Sequence, residues 1–152
     1  MTTRPLWAAL LASAAFATTA MAADLRIGLQ EDPDALDPAQ ARTFVGRIVF
    51  ESLCDKLVNI DSDGNFVPEL AESWAWSDDG LTLTMRLRTD ARFHDGEPVD
   101  AAAVVANIER NKTLEESRRK SELASVASIA ATGSHEVAFT LARPDATLVA
   151  QL

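Results

Sequence analysis

Trp74-Ala75-Trp76-Ser77-Asp78-Asp79-Gly80-Leu81-Thr82-Leu83-Thr84-Met85-Arg86-Leu87-Arg88 carries the plainest structural instruction in the chain. Leu81, Leu83, Met85 and Leu87 alternate with Thr82, Thr84, Arg86 and Arg88. Successive side chains of a strand point to opposite faces, so the segment reads as a strand with one apolar and one polar face. Asp78-Asp79-Gly80 ahead of it is a tight-turn signal, and the turn joins it to a strand over 72–77. On that strand Trp74 and Trp76 share a face with Glu72. Such a pair can stack on a ligand, but aromatics of this kind more commonly fill a core. A β-hairpin with one buried face is therefore the nucleus of the fold.

Working outward, the period changes. Phe44 and Ile48, then Val45, Val49 and Leu53, recur at helical spacing, so 43–54 reads as an amphipathic helix with Thr43 as N-cap. Cys54, at its end, reads as a small buried hydrophobe. Lys56 to Ile60 is a short strand, and Asp61-Ser62-Asp63-Gly64-Asn65 a turn. Pro68-Glu69-Leu70-Ala71 reads as one helical turn begun by its proline. Beyond the hairpin, His94-Asp95-Gly96-Glu97-Pro98 is a loop. Asp100 caps a helix to about Lys112, with Val104, Val105 and Ile108 as its buried stripe. Residues 113–120 form a charged, exposed connection. Residues 123–131 are a strand, Thr132-Gly133-Ser134 a turn, and 136–141 a strand that pairs back. Pro144 and Asp145 open a last helix. Nearer the start, Leu25, Ile27 and Leu29 alternate with Arg26, Gly28 and Gln30 as a strand, before a loop broken by Pro33 and Pro38. The fold class is α+β: hairpins on one part, with two helices packed on them.

Residues 1–22 read as an address. Arg4 gives a positive start, an apolar run extends from Leu6 to Ala17, and Ala20-Met21-Ala22 is a small-x-small cleavage site. That run is too short and alanine-rich to span a bilayer, and no later stretch is apolar enough to do so. Cleavage leaves a chain over 23–152, in which 13 basic side chains face 23 acidic ones. This acidic balance argues against nucleic acid, whose binding needs Lys and Arg, and against anionic membrane surfaces. A single cysteine excludes an internal disulfide framework and a cysteine-based zinc site.

Chemistry is sparse. Glu31, Asp32, Asp34 and Asp37 form an acidic cluster that can serve as acid and base or hold calcium, but no partner base or further ligand accompanies it. A solvated loop is the favoured reading. The Asp61 turn is a poor calcium loop. Glu72 falls at its twelfth position, but the glycine is at the fourth place. His94 and His135 lie in separate loops without a zinc-spaced companion. Asn111-Lys112-Thr113 fits a glycosylation sequon that carries no weight in a chain with a bacterial-type export signal. No nucleophile elbow, phosphate loop or dinucleotide fingerprint is present. The residues point to a non-enzyme without cofactor or metal.

The run from Leu70 to Arg88, continued by Phe93-His94-Asp95-Gly96-Glu97-Pro98-Val99-Asp100-Ala101, resembles the signature of the bacterial extracellular solute-binding proteins of family 5. Leu36-Asp37-Pro38, Leu53-Cys54-Asp55-Lys56-Leu57-Val58, Val67-Pro68-Glu69-Leu70-Ala71 and Asn107-Ile108-Glu109-Arg110 fit in the same order. The resemblance covers essentially all of 24–152. It implies the periplasmic component of an ABC importer for a dipeptide, oligopeptide, glutathione or nickel-type ligand. Such a protein works as a monomer with an inner-membrane permease, without nucleic acid, closing two lobes on the solute. Family members are several-fold longer, so the resemblance places 23–152 in the first part of the first lobe, with the second lobe absent. The acidic residue that meets a peptide's amino terminus in the family lies later and has no counterpart here. The positions the resemblance puts near solute are Leu36, Asp37, Thr43 and Phe44. The rival readings are a truncated exported fragment that binds no solute and, disfavoured by the lack of a nucleophile–base pair, a periplasmic hydrolase.

Overall fold

The computed structural model describes residues 24–152; the expected export signal lies outside them. The hairpin forms as its alternation dictates. Strands β3 (Ala71–Trp76) and β4 (Thr82–Leu87) pair antiparallel, with Trp74 opposite Met85 and Trp76 opposite Leu83. Gly80 takes φ +66, the left-handed geometry that glycine tolerates. The Asp79 carboxylate accepts from Ser77 Oγ at 2.6 Å and the Leu81 amide at 3.0 Å, satisfying the turn. A second hairpin, β5 (Val126–Gly133) and β6 (Glu136–Leu141), docks on it, giving an antiparallel sheet in the order β3-β4-β6-β5.

Helix α2 (Ala101–Thr113) lies against β5 and β6. Asp100 caps it, its Oδ1 accepting from the Ala103 amide at 2.8 Å, and Arg110 and Lys112 sit at the negative end of the helix dipole. Leu83, Met85, Val137 and Phe139 are completely buried beneath it, with Val104 and Ile108 as helix knobs. Val105 is only partly buried at the rim. Trp74 packs on the core, while Trp76 stays partly open.

The two remaining strands, β1 (Val58–Ile60) and β2 (Phe66–Pro68), form a separate ribbon. Pro68 is thus a strand residue opposite Val58, not the start of a helical turn. A proline that lacks an amide donor is tolerated on such an edge. The Asp61 turn is the plain hairpin turn expected, Asp61 Oδ1 accepting from the Asp63 and Asn65 amides.

Other expectations are corrected. Residues 24–29 form no strand: Leu25 and Ile27 are 84% and 73% exposed, and no partner ladder is recorded for their backbone among the described residues. Cys54 is exposed, because it follows the last turn of helix α1 (Phe44–Leu53) in extended conformation. The connection after α2 is not wholly exposed. Ser117 is buried there and its hydroxyl donates to the Asn111 carbonyl at 2.6 Å. The β5–β6 turn consists of Ser134 and His135, one residue beyond the expected turn, with Gly133 ending the strand. Asp145 caps a turn rather than a helix, accepting from the Thr147 amide at 2.9 Å. The last element is a 3-10 helix, Leu148–Gln151, whose Leu148 and Val149 enter the core.

Candidate functional site

The loop 31–42 and the start of α1 form one local unit. Thr43 caps α1 as expected, its Oγ1 accepting from the Gly46 amide at 3.1 Å. The same hydroxyl donates to Asp34 Oδ1 at 3.1 Å, and Asp34 Oδ2 accepts from the Arg42 amide at 2.9 Å. Desolvation pushes the Asp34 carboxyl up, but its hydrogen bonds to Arg42 and Thr43 together outweigh this and leave it below its usual value. Two of the four clustered acids therefore serve the loop's own backbone. Asp37 is the second: its Oδ1 accepts from the Ala39 amide at 2.9 Å and its Oδ2 from Gln40 Nε2 at 3.0 Å. Glu31 and Asp32 remain exposed, as the solvated-loop reading expects.

Asp37 also has a distant partner. Arg110, in the last turn of α2, grips it through two guanidinium nitrogens, Nη1 donating to Oδ1 at 3.2 Å and Nη2 to Oδ2. This pairing is the foremost reason the Asp37 carboxyl lies below its ordinary range, and it raises Arg110 in turn. Nearby, the Arg118 amide donates to the Ala39 carbonyl at 2.7 Å, and Arg119 Nε donates to the Pro38 carbonyl at 3.3 Å.

The four residues placed near solute thus divide. Asp37 and the Thr43 hydroxyl are committed to internal hydrogen bonds. Leu36 and Phe44 are 76% and 74% exposed and offer free apolar surface. The sequence assigns Arg119 no role and Arg110 only a place in the family-like run Asn107-Ile108-Glu109-Arg110. Arg110 shares a helix with Asp100, but its partner lies 73 positions earlier, beyond any local spacing rule.

Two hollows open to solvent flank this architecture. One, of about 340 Å³, is lined by Asp34, Ala35, Gln40, Arg42, Glu116 and Arg118 and adjoins the loop. The other, of about 530 Å³, is lined by Pro68, Glu69, Glu72, Arg88, Thr89 and Asp90 and holds none of the four residues. No cluster of metal-ligating side chains occurs among the described residues. No helix among them is long and apolar enough to cross a membrane.

The fold superposes on solved solute-binding proteins. The binding protein AgaA from A. tumefaciens R10, solved with agropinic acid, superposes with a TM-score of 0.73 at 34% identity, covering 78% of this chain and 24% of its own. NikA from Brucella suis, solved with Fe(III)-EDTA, gives a TM-score of 0.60 at 34% identity over 65% of this chain and 20% of its own. The chain belongs to the bacterial extracellular solute-binding proteins, family 5, whose model, described as "Bacterial extracellular solute-binding proteins, family 5 Middle", matches residues 65–152. Among curated relatives, the glutathione-binding protein GsiB of Escherichia coli (strain K12) is 38% identical over 102 residues, 67% of this chain and 19% of its own length. The chain therefore spans about a fifth of the length of the curated relatives it matches. These relatives are named as binding proteins.

Proposed function

We propose that residues 23–152 are the N-terminal portion of the periplasmic substrate-binding component of an ABC importer, exported by a signal over residues 1–22. It captures a peptide-like or related small solute and hands it to an inner-membrane permease. The observation that carries this reading is the family match over 65–152, on a fold shared with solute-binding proteins of known structure. The loop around Leu36 and the first turn of α1 then form one wall of a cleft, and a second lobe supplies the other.

Two measurements test it. Exported material is expected to begin Ala23-Asp24-Leu25 on N-terminal sequencing; an uncleaved chain in the inner membrane contradicts export. For binding, residues 24–152 replace the matching segment of the glutathione-binding protein. The chimera is titrated calorimetrically with glutathione, peptides and nickel beside the short chain. Tight binding of one solute by the chimera, and very weak binding by the short chain, is the expected result. A chimera that binds nothing in the panel sinks the reading.

A second reading, an exported fragment without solute binding of its own, draws on the exposure of Leu25, Ile27, Leu36 and Phe44. A single wall with that much open apolar surface encloses no ligand.

A further inference from the structure

We propose that Arg110 is a positioning residue: its two-pronged grip on Asp37 latches the loop 34–43, and with it the capped start of α1, to the end of α2. The latch bears on binding through the reading of this loop as a solute-facing wall.

Helix α1 has little packing against the sheet or α2. Helix α1 lies along no strand or other helix over any length among the described residues. Ala39, Ala41 and Val45 are buried, but they stand apart from the cluster that joins the sheet to α2. Phe44 and Ile48 are 74% and 42% exposed. The chain leaves α1 through Cys54 in extended conformation and reaches the body of the fold only near Leu57, which is buried in the core. Covalent connection at one end fixes the distance of a helix but not its orientation.

Orientation is set instead at the other end, by polar contacts. Arg110 is carried by a helix whose Val104 and Ile108 are seated in the core, so its stem starts from a rigid base. Its planar fork meets both oxygens of a carboxylate, a geometry more directional than a point charge can supply. Asp37, at the receiving end, also accepts from the Ala39 amide and Gln40 side chain, and its own carbonyl accepts from the Ala41 amide at 2.9 Å. The one carboxylate thus shapes the loop and ties it down. The loop is also met by the connection after α2: the Arg118 amide donates to the Ala39 carbonyl, and Arg119 donates to the Pro38 and Ala41 carbonyls. Removing the guanidinium leaves the loop's internal turn intact and cuts its link to α2. Leu36 and Phe44, carried by the same unit, then lose a fixed position.

Amide hydrogen exchange on the 152-residue chain, processed or not, tests this without any solute. Arg110→Gln is expected to speed exchange of the Ala41, Gly46 and Arg118 amides at least tenfold. Met85 and Phe139, in the sheet, are expected to keep their protection. Arg110→Lys, with the charge but not the fork, is expected to recover part of the lost protection. Unchanged exchange in the loop overturns the latch. An equal rise in the sheet also overturns it, because Arg110 would then support the fold at large. Wild-type protection in Arg110→Lys overturns the requirement for a fork. In the chimera, Arg110→Gln is expected to weaken at least tenfold the binding of whichever solute of the panel the unsubstituted chimera takes. If the unsubstituted chimera binds nothing, the functional reading fails, while the exchange data still decide the latch.

Discussion

Glu69 is the residue whose surroundings work against its charge. Its Oε2 is buried and finds no hydrogen-bond partner among the described residues. Burial raises its carboxyl above the reference value, Asp55 and Glu51 add to the rise, and Lys56 opposes it through its backbone amide and its charge. A carboxylate with a raised pKa binds its proton more tightly in the folded state than in the unfolded one. Its penalty is absent below the unfolded value of 4.5, grows as pH climbs toward the folded pKa, and is complete above it. Glu69→Gln is therefore expected to raise the melting temperature at pH 7, and the gain should disappear below about pH 4. Thermal scans across pH check this; a loss of stability at neutral pH would show that Lys56 outweighs burial. Asp37 has the opposite sign. Arg110 lowers its carboxyl, so its contribution is present above the reference value of 3.8 and is lost as pH falls through the lowered folded pKa. Nothing in the sequence separates these two acids, since the difference rests on the burial of Glu69 and on Arg110 as the neighbour of Asp37. Only the suspicion attached to the cluster at 31–37 was available, and two of its four members proved to be structural.

Elements were legible where local pattern and tertiary partner agree. The alternation over 81–88 found its sheet, Asp100 and Thr43 capped their helices, and Asp79 and Gly80 made the turn their chemistry requires. The register has a sharp consequence. Leu83 is fully buried opposite Trp76 and Phe139, whereas Thr84 on the other face is only partly covered. Leu83→Asp is expected to abolish cooperative unfolding, because a buried unpaired carboxylate costs several kcal/mol, a large share of the stability of a small domain. Thr84→Asp is expected to stay within about 1 kcal/mol, as surface changes usually do. Circular dichroism melts of the two variants check the pair; equal losses would contradict the register. Elements failed where the pattern lacked a partner or had two physical solutions. Leu25, Ile27 and Leu29 spell a strand, but a strand is held by a neighbour's ladder, and none is recorded for it among the described residues. Pro68 suits a helix start and an edge strand equally well on sequence, and pairing with Val58 decided for the strand.

At the scale of the molecule, the sheet with α2 is a closed core, and the unit carrying α1 presents unused apolar surface. Leu36 and Phe44 concentrate that contrast. The family resemblance placed them near solute, and the exposure of both, about three quarters, gives them little to hold within the fold. Fold and binding can therefore be separated experimentally. A side chain that buries almost nothing loses almost nothing when shortened, since stabilisation scales with apolar area removed from water. Leu36→Ser and Phe44→Ser are accordingly expected to change the unfolding free energy of the short chain by less than about 0.5 kcal/mol. The same substitutions in the chimera with the glutathione-binding protein are expected to weaken solute binding at least tenfold, a loss of about 1.4 kcal/mol. Denaturant titration of the short chain and calorimetry of the chimera read the two effects independently. A stability loss of 2 kcal/mol or more, the scale of a truncated core side chain, would make these residues part of the fold's own packing. Unchanged affinity in the chimera would remove them from the solute wall, and the hollow lined by Gln40, Arg42 and Arg118 would be the next place to look along the same loop.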